Sequence, residues 1–505
     1  ANIPHEEGFG KNFVSSLGRG RGVGGSSLVM GSAAWFPFDG DYDDWQEETG
    51  VDWSKDALAG AREEARRVFN VGLQPPETLA FLRGAEMFRD AARSMGYEVV
   101  PGHQRAARNC IYCGHCGDRQ LCKYDAKQST LVTHAPVAER NGVEIIANAR
   151  AEKVIIERAG GGRAVARGVV FRKLDLPDEF YPGDDYVDWS GAKQITILAR
   201  KVIVSCGDLE TPPLLFASGY GSKEDCGADL LVENRNVGHN IDGHYGEGGQ
   251  IGVNAIFDEE VRTEDGLWQN DPWYHFTTHI GRNRIVIFNG YLPPTHSFWD
   301  GQPERLALHP AAPQFGREHK DFMRQIGNPW VKPGEASWKS RSMMRRLMRV
   351  AVSAKLPKGA PRGSIDRQSQ VHIYGREVLK FSRETGKEER IYSDIQPDAK
   401  KLFGEAQQIA VEVLRKMGAK QIMPDPVPGP GGVVFKWITG GCRAGASPKD
   451  SVVNQNFESH DIDNLFVVDV GALPRSTTLG MFLTIGTVAI FAADRIVARH
   501  FARRA

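Results

Sequence analysis

Four of the seven cysteines in this 505-residue chain lie close together, at a spacing that could bind a metal. Cys110 and Cys113 are separated by two residues, Cys113 and Cys116 by two more, and Cys122 follows after a gap of five. Thiolates on a tight, glycine-containing loop are typical of iron–sulfur proteins. Four thiolates also form tetrahedral zinc sites, and His115 could replace one of them. The spacing favours an iron–sulfur cluster over zinc, with reduced structural thiols as the remaining alternative.

A second stretch with the chemistry of a binding site covers residues 16–30. Its glycines alternate with arginines and precede a pair of serines. Glycine lets a ligand approach the main chain closely, and successive backbone N–H groups beside hydroxyl and guanidinium groups suit a phosphate. The stretch is interpreted as a wall of a nucleotide-cofactor site, with a flexible glycine–arginine loop as the alternative. Its glycines and arginines are Gly18, Arg19, Gly20, Arg21, Gly22, Gly24 and Gly25.

The composition of the chain limits its classes of function. Lys plus Arg and Asp plus Glu both number 63, and a formal net charge of zero argues against a nucleic-acid partner. No apolar run reaches the roughly 18 residues of a transmembrane segment. An odd number of cysteines with one tight cluster does not resemble a disulfide framework. We expect a soluble protein whose compartment stays unknown, with the cytoplasm slightly favoured over the periplasm.

Interleaved helices and short buried strands must position these residues. The acidic–aromatic run 35–45 is predicted to be a solvated turn, and the basic run 339–349 a solvated helix face. Predicted helices cover residues 55–70, 77–95, 126–142, 210–217, 397–418 and 483–501. Predicted strands cover residues 143–148, 151–157, 165–173, 194–198, 202–205 and 464–470.

Longer alternating strands in the middle of the chain predict a separate antiparallel sheet. The fold class is therefore α/β mixed with α+β, in which a cofactor-binding domain is interleaved with a substrate or cap domain. Residues 1–50, 105–245 and 430–505 are assigned to the first domain, and residues 51–104 and 246–429 to the second. The alternating strands cover residues 250–257, 273–280, 284–292, 371–381 and 389–394.

Seven separate stretches resemble segments of the glucose–methanol–choline (GMC) oxidoreductases, a family of flavoproteins. Residues 18–30 are similar to the flavin-contacting loop of that family, above all to the version in its cholesterol oxidase branch. The stretches follow the family's order over nearly the whole chain, so the chain is identified as a member. The other six are residues 41–45, 126–130, 203–215, 237–244, 440–445 and 464–476.

Membership of this family implies bound FAD and, usually, the oxidation of an alcohol to a carbonyl compound. It also implies an FAD-binding Rossmann-like domain and a substrate domain with a large antiparallel sheet under helices, which agrees with the pattern above. The resemblance distributes the cofactor contacts over the glycine-rich loop, one strand, one strand–helix connection and the C-terminal block. They are Arg19, Gly20, Gly22, Gly24, Gly25, Ser26, Ser27, Met30, Val154, Cys206, Gly207, Asp469, Val470, Gly480 and Met481.

The N-terminus departs from the family pattern. Members open with a β-strand and a Gly-x-Gly-x-x-Gly turn that seats the FAD pyrophosphate on a helix N-terminus. No such strand–loop–helix precedes Gly18, so the first βαβ unit is missing from this sequence. We expect an additional polypeptide, or a segment that was cut off or is absent from this sequence, to complete the FAD site.

The usual catalytic pair is also missing. The family places a histidine before the glycine pair of the C-terminal block and a histidine or asparagine before its last helix; these positions hold Trp437 and Gly480. Neither can accept a proton from a substrate hydroxyl. The site must then use other groups near the flavin. The candidates for catalysis are Trp437, Thr439, Arg443, Ser476 and Thr477, beside Lys436 and Thr478.

Three functions stay open. The first is an FAD-dependent dehydrogenase that oxidises an alcohol-like substrate and passes electrons, through an iron–sulfur cluster if one forms, to an external acceptor protein. A cluster would favour a dehydrogenase over an oxidase because it gives the electrons a way out. The second is a GMC-fold enzyme with atypical chemistry, such as a lyase, cyclase or decarboxylase, which Trp437 and Gly480 favour. The third is a subunit of a multi-chain flavoprotein. The sequence does not identify the small-molecule substrate.

Overall fold

The computed structural model describes residues 22–28, 33–73, 83–101, 104–110, 122, 124–158, 162–175, 189–245, 252–261, 274–290, 346–355, 362–367, 371–372, 380–382, 387–389, 397–424 and 436–501. The helices in these ranges are α1 (Asp39–Thr49), α2 (Ala59–Val68), α3 (Arg83–Ser94), α4 (His134–Arg140), α5 (Thr211–Ala217), α6 (Lys223–Cys226), α7 (Pro397–Lys416) and α8 (Phe482–His500). None of these described helices combines the length and the apolar character that crossing a bilayer requires.

The strands are short and lie throughout the described ranges. They are β1 (Val71–Leu73), β2 (Val100–Pro101), β3 (Gln104–Ala106), β4 (Ala149–Glu157), β5 (Ala164–Lys173), β6 (Lys193–Leu198), β7 (Val202–Val204), β8 (Tyr220–Gly221), β9 (Val232–Glu233), β10 (Asp242–Tyr245), β11 (Gly252–Ile256), β12 (Tyr274–Ile280), β13 (Asn283–Gly290), β14 (Leu347–Lys355), β15 (Ser364–Ile365), β16 (Val371–His372), β17 (Lys380–Ser382), β18 (Lys387–Glu389), β19 (Gln421–Pro424), β20 (Lys436–Thr439), β21 (Ile462–Asp463) and β22 (Leu465–Val467).

A large antiparallel sheet dominates the middle of the chain. Its strand order is β19-β11-β14-β13-β12-β2, with β10 paired to β14 and β20 paired to β10. Helices α3 and α7 cover one face. Phe88 of α3 and Leu414 of α7 lie in the same buried cluster as the strand residues Phe276, Ile287 and Val352. Burial of this apolar face against two amphipathic helices stabilises the sheet.

The opposite face of the large sheet packs against segments from both ends of the chain. Successive strand residues point to opposite faces, so Val286 and Phe288 of β13 point away from the helices. They pack with Ala351 of β14, with Trp35 before α1 and with Leu479 before α8. The sheet therefore separates a helical layer from the segments that lead into α1 and α8.

A smaller α/β unit carries the second main core. Strands β4, β5 and β6 form an antiparallel meander, to which β21 adds in parallel. Strands β7 and β22 form a separate parallel pair. Trp45 of α1, Leu215 of α5 and Phe491 of α8 pack with Val204 of β7 and Val467 of β22 in one buried cluster.

The predicted mixed fold with a large antiparallel sheet is confirmed. The stretches 55–70, 397–418 and 483–501 form α2, α7 and α8, and the hairpin of 165–173 with 194–198 forms β5 and β6. Strong periodicity over many residues made these elements predictable. The predicted strands 371–381 and 389–394 are described only in part, by β16, β17 and β18.

The acidic–aromatic run 35–45 is not a solvated turn, and that prediction is wrong. Residues from Asp39 onward form helix α1, in which Asp41 and Trp45 are fully buried. Asp41 lies in the first turn, where its carboxylate accepts a hydrogen bond from Phe38 N at 3.0 Å. That bond satisfies a main-chain amide at the helix start, where negative charge is also favoured by the helix dipole.

The prediction of a solvated helix face over residues 339–349 is wrong for the part that the structure describes. Leu347–Lys355 is strand β14, which pairs with both β11 and β13, and Arg349 is buried within it. Arg349 lies opposite Asn254, and its Nη1 donates to Asn254 Oδ1 at 3.0 Å. A buried cation needs such acceptors. Residues 339–345 lie outside the described residues.

The helix predicted over residues 126–142 is shorter in the structure. Residues 126–128 instead lie beside residues 106–108, through main-chain hydrogen bonds of 2.8 and 2.9 Å. Helix α4 begins only at His134. The first part of the predicted helix thus serves as an extended partner for the segment that follows β3.

Residues 143–148 were predicted as a strand, and the structure contradicts this. They form no ladder with any described strand, and Val143 is 54% exposed. A strand needs a neighbour to take up its main-chain N–H and C=O groups. Without one among the described residues, the β-forming side chains of this segment do not produce a strand.

Candidate cofactor and reaction site

The glycine-rich loop ends in a short 3-10 helix, Gly25–Leu28. Gly24, just before it, has a φ of +107°, and a Cβ there would lie 3.2 Å from Leu131 N. Only glycine fits this conformation and this close approach. The Ser27 hydroxyl donates to Gly24 O at 2.6 Å, and Thr130 N donates to Ser27 Oγ at 3.1 Å. The loop is therefore an ordered structure that is fastened to the segment before α4.

Lys127 holds the same loop from its buried side. Its side chain is 4% exposed, and its Nζ donates to Leu28 O at 2.5 Å. Lysine is almost never buried to this extent without partners. A buried cation beside the main-chain amides of a glycine-rich loop suits an anionic group of a nucleotide.

The structure brings five of the predicted contacts together in this loop. Val154 lies elsewhere, in the buried part of β4, where its main-chain N–H donates to Ser218 Oγ at 2.8 Å and its side chain packs in the core. The contacts in the loop are Gly22, Gly24, Gly25, Ser26 and Ser27, whereas Arg19, Gly20 and Met30 lie outside the described residues.

The carboxyl ends of the parallel strands β7 and β22 form a second part of the site. One carboxylate oxygen of Asp469 accepts hydrogen bonds from Gly207 N at 2.8 Å and Thr211 Oγ1 at 2.6 Å. The other accepts from Gly471 N at 2.7 Å. Open α/β sheets bind ligands at this end of their strands. The predicted contacts that meet here are Cys206, Gly207, Asp469 and Val470.

A glycine turn carries the C-terminal block onto the same edge. Strand β20 ends at Thr439, which lies opposite Asp242 of β10 in the large sheet. The next residue, Gly440, donates its N–H to Val470 O at 3.4 Å. The turn therefore joins the large sheet directly to the carboxyl end of the parallel pair.

The two positions of the usual catalytic groups lie before and after this junction in the sequence. Trp437 is in β20, and its side chain is outside the described residues. Gly480 precedes α8, whose N-cap Met481 makes no side-chain capping hydrogen bond. The first amides of a helix have no acceptor within the helix, and its dipole favours electron-rich atoms there. The amino end of α8 can therefore bind an anionic or carbonyl group.

Two buried hydroxyls lie at these same elements. Thr439 Oγ1 and Thr484 Oγ1 have no hydrogen-bond partner within the part of the chain that the structure describes. Thr439 is fully buried at the end of β20, and Thr484 is 2% exposed in the first turn of α8. An unsatisfied buried hydroxyl costs about 1–3 kcal/mol. A polar ligand atom would satisfy them, so the residues present fit a flavin nucleotide.

We expect Thr439→Val to raise the free energy of unfolding of the FAD-free protein by about 1 kcal/mol, because it removes an unsatisfied hydroxyl. If that hydroxyl meets the cofactor, FAD affinity falls about tenfold. Urea denaturation and flavin fluorescence on release measure the two effects. Thr487→Val is the matched control, because the buried Thr487 hydroxyl donates to Leu483 O at 2.8 Å and its loss is destabilising. Equal destabilisation by both substitutions would contradict the prediction.

Three predicted catalytic residues have their polar groups engaged inside the protein. Arg443 donates twice to Asp450 O, at 2.6 and 3.1 Å, and burial together with the guanidinium of Arg362 lowers its pKa. The Thr477 hydroxyl donates to the main-chain oxygen two residues later at 2.5 Å. Ser476 Oγ lies 3.5 Å from Thr477 O. These contacts position the C-terminal block, and the catalytic assignments of the three residues stay predictions.

Sequence reasoning missed the buried charges that hold this block. Lys355 of β14 donates to Asp41 at 2.8 Å and also bonds to Asp44. Arg475 Nε lies 3.4 Å from Asp242 Oδ2. One feature of the sequence could have indicated the burial of Asp41. It stands beside large aromatic residues at the start of a helix, and a solvated turn does not require such residues.

The cysteine loop is described only at its two ends, because Cys113 and Cys116 lie outside the described residues. Arg105 Nη1 lies 3.8 Å from Cys110 Sγ, as a hydrogen-bond donor. Within the ranges that can be described, no three His, Cys, Asp or Glu side chains are arranged to hold a metal ion. Nothing in the structure supports the iron–sulfur or zinc assignment for Cys110, Cys113, Cys116 and Cys122, which stays a prediction.

The sequence matches two profiles of one family, described as GMC oxidoreductase. The N-terminal profile matches residues 11–246 and the C-terminal profile matches residues 433–489. Together they cover more than half of the chain and include the glycine-rich loop, the Asp469 junction and the start of α8. The gap between them contains most strands of the large sheet.

Curated relatives share this family over long alignments. The chain is 37% identical to 2-methyl-1,2-propanediol dehydrogenase of Mycolicibacterium austroafricanum over 373 residues, which cover 73% of this chain and 56% of that protein. It is 22% identical to a long-chain-alcohol oxidase of Arabidopsis thaliana over 505 residues, which cover 95% of this chain and 58% of the relative. The chain spans about half the length of the curated relatives it matches.

Solved structures show the same fold. Pyridoxine 4-oxidase from Mesorbium loti superposes with a TM-score of 0.60 at 17% identity, covering 95% of this chain and 85% of that chain. Formate oxidase superposes with a TM-score of 0.57 at 16% identity and the same two coverages. At these identities the likeness shows the fold alone.

Proposed function

The chain belongs to the GMC oxidoreductase family, and from this membership we propose that it is an FAD-dependent oxidoreductase acting on an alcohol group of a small molecule. One observation carries the proposal: the glycine turn at Gly440 joins the large sheet to the Asp469 junction, at the edge where α/β sheets bind ligands. The relatives named as a diol dehydrogenase and a long-chain-alcohol oxidase support an alcohol as the substrate.

Residues of three segments would hold the FAD: the glycine-rich loop, the Asp469 junction and the amino end of α8. When bound, FAD would accept the two electrons that an alcohol loses on becoming a carbonyl compound. The chain supplies main-chain amides, the charge of Lys127 and the hydroxyls of Thr439 and Thr484 to orient the bound groups. Asp469 fixes the main chain of Gly207, where the absence of a side chain would let the cofactor approach the strand–helix connection closely.

The proton of the substrate hydroxyl has no acceptor at Trp437 or Gly480. A threonine hydroxyl such as that of Thr439 orients a substrate but does not act as a base near neutral pH. This absence supports a second candidate function, a GMC-fold enzyme with atypical chemistry such as a lyase, cyclase or decarboxylase. The two candidates differ in whether electrons reach the flavin.

Anaerobic flavin bleaching separates the two candidates. The native FAD-loaded protein is mixed with a panel of primary alcohols, secondary alcohols and vicinal diols while the flavin absorbance is followed. Loss of absorbance with one class supports alcohol oxidation. If no alcohol bleaches a flavin that dithionite does reduce, the oxidoreductase proposal fails and the atypical chemistry is favoured.

We propose a dehydrogenase, with an external acceptor protein, rather than an oxidase. The support is the cysteine loop, in which a cluster would carry electrons from the reduced flavin to a partner. Iron and acid-labile sulfide are assayed in the native protein, and the reduced protein is examined by EPR. Absence of iron and sulfide would remove the cluster and leave the flavin proposal standing.

We further propose that a βαβ unit outside this sequence completes the FAD site by pairing with β7. In the described residues β7 pairs only with β22, and the main chains of Val202 and Val204 face that partner. The main chain of Ile203 therefore faces the other edge, and its side chain is 53% exposed. Parallel sheets normally have both faces covered, so an exposed isoleucine here supports a missing neighbour.

The segment from α4 to β4 supports the same partner. Helix α4 has no buried residue. Val137 within it, and Leu131 and Val143 on either side, are exposed apolar residues. A helix and an extended segment with this many uncovered apolar side chains normally pack against a further element that buries them. An additional strand–helix–strand unit would cover both this segment and the edge of β7.

We expect Ile203→Lys to change the stability of the isolated chain by less than about 0.5 kcal/mol, because the side chain is already exposed. In native material containing the partner, FAD content should fall strongly, since a lysine would enter the new contact. Val497→Lys is the control, because Val497 is equally exposed on α8. Normal FAD loading of the Ile203 variant, or FAD in a preparation whose intact mass reveals no further peptide, would contradict the partner proposal.

A further inference from the structure

We propose that Asp41 is a positioning residue for the reaction site, and that its carboxylate fixes the main chain of Thr478 and thereby the start of α8. The reaction itself rests on the proposed function, whereas the positioning rests on hydrogen bonds of the described residues. Asp41 is fully buried, whereas the side chains of Asp39 and Asp43 on the same helix are exposed.

The Asp41 carboxylate joins three distant parts of the chain. Its Oδ1 accepts a hydrogen bond from the Thr478 hydroxyl at 2.9 Å and another from Lys355 Nζ at 2.8 Å. Its Oδ2 accepts from Thr478 N at 3.3 Å and from Phe38 N at 3.0 Å. The start of α1, strand β14 and the segment before α8 therefore meet on one fully buried side chain.

Other side chains hold the same segment close by. Asp242 Oδ2 accepts a hydrogen bond from Ser476 N at 3.2 Å. The Ser353 hydroxyl donates to Thr478 O at 2.8 Å. Residues 476–479 make no β-bridge to any other described residue. Two buried carboxylates and a hydroxyl thus do for this segment what a neighbouring strand would otherwise do.

The negative charge of Asp41 is required by the geometry. Both of its oxygens accept two hydrogen bonds, and one donor is the Lys355 ammonium. An asparagine has only one accepting oxygen, and its NH2 group would face N–H donors. Asp41→Asn therefore preserves the shape of the side chain but weakens its hydrogen bonds with Thr478.

The hydrogen bonds of Asp41 with Thr478 matter for the reaction because Thr478 lies shortly before α8. Two residues after Thr478 comes Gly480, at the position of a usual catalytic group, and then Met481, the N-cap of α8. Any displacement of Thr478 moves the amides at the amino end of α8. Because misplacement by about 1 Å costs roughly 100-fold in rate, Asp41 should affect turnover more than substrate affinity.

The test compares wild type and Asp41→Asn as native FAD-loaded protein. Amide hydrogen exchange is followed in peptides that cover residues 474–483, and kcat and KM are measured with an alcohol that bleaches the flavin. We expect exchange in this peptide to accelerate at least about tenfold. We also expect kcat to fall about 100-fold while KM stays within about threefold. Unchanged exchange in this peptide overturns the proposal, whatever the activity.

Asp43→Asn is the matched control, because Asp43 lies on the same helix with an exposed side chain. It should change neither exchange nor kcat; an equal effect on both would overturn the assignment to Asp41. If Asp41→Asn does not fold, Thr478→Val removes the hydroxyl bond to Asp41 and keeps the main-chain bond, and exchange identical to wild type would then overturn the proposal. If no alcohol reduces wild type, the proposed function fails while the exchange measurements still decide the positioning.

Discussion

Gly440→Ala should prevent the chain from reaching its native fold. A Cβ at this position would lie 2.0 Å from Asn240 O and 2.7 Å from Asn240 C, both main-chain atoms that cannot rotate away. The φ of +88° adds backbone strain for any residue with a side chain. We expect a loss of more than about 4 kcal/mol, which is a large part of the stability of an ordinary domain. The yield of soluble protein and its urea denaturation curve measure this loss.

The position of Gly440 makes the effect specific to the site. The turn joins β20 to the Asp469 junction, so a variant that folds in part should lose FAD before it loses its helices. Gly60→Ala is the control, because nothing lies within 4 Å of a Cβ there and Gly60 is in helix α2. It should gain about 0.5–1 kcal/mol. A Gly440→Ala protein whose stability lies within about 1 kcal/mol of wild type would contradict the close approach.

The elements that sequence alone predicted well are those with strong periodicity and their own apolar face. Helices α7 and α8 bury apolar residues at helical spacing, and the two segments of the β5–β6 hairpin are rich in β-branched residues. Such patterns depend on residues near one another in the chain. These patterns therefore predict a helix or a strand even when the distant segment that packs against it is unknown.

The same reasoning gave wrong predictions for charged residues that become buried. Asp41 and Arg349 occur in runs of like charge, which are normally solvated. Both are buried because a partner from far along the chain meets them: Lys355 for Asp41 and Asn254 for Arg349. Pairing of this kind is a property of the tertiary structure, and no local pattern predicts it.

The segment 143–148 failed for a different reason. Its residues have the β-branched composition of a strand, and Val143 and Ile145 fit that pattern. A strand forms only when another strand takes up its main-chain groups. The structure describes no such neighbour, so the β-forming composition of the segment does not produce a strand among the described residues.

The family resemblance selected the glycines of the loop and the Asp469 junction as cofactor contacts. The structure shows their main-chain conformation and hydrogen bonds, and their role as cofactor contacts stays a prediction. The unsatisfied hydroxyl of Thr484 was not predictable. Whether a hydroxyl has a partner depends on every atom around it, and threonine in a helix usually bonds to the preceding turn.

Glu48→Gln should cost about 3–5 kcal/mol of unfolding free energy, because it leaves buried arginines without their shared counter-ion. Glu48 bonds to Arg362, lies 3.1 Å from Arg475 Nη1 and 4.0 Å from Arg443 Nη1. All four side chains are less than one-fifth exposed. Arg475 would keep its ion pair with Asp242, at 3.4 Å. Urea denaturation measures the change.

Two further variants decide whether charge causes this loss. Asp39→Asn removes a carboxylate from the same helix, but its pair with Lys55 is exposed, so we expect a change of less than about 0.5 kcal/mol. Arg443→Met in the Glu48→Gln background removes one of the crowded cations and should recover about 1 kcal/mol or more. Burial and Arg362 already lower the pKa of Arg443, which is the expected sign for crowded positive charge. A loss below about 1 kcal/mol for Glu48→Gln, or no recovery in the double variant, would mean that hydrogen bonding and packing, not the carboxylate charge, hold these arginines in place.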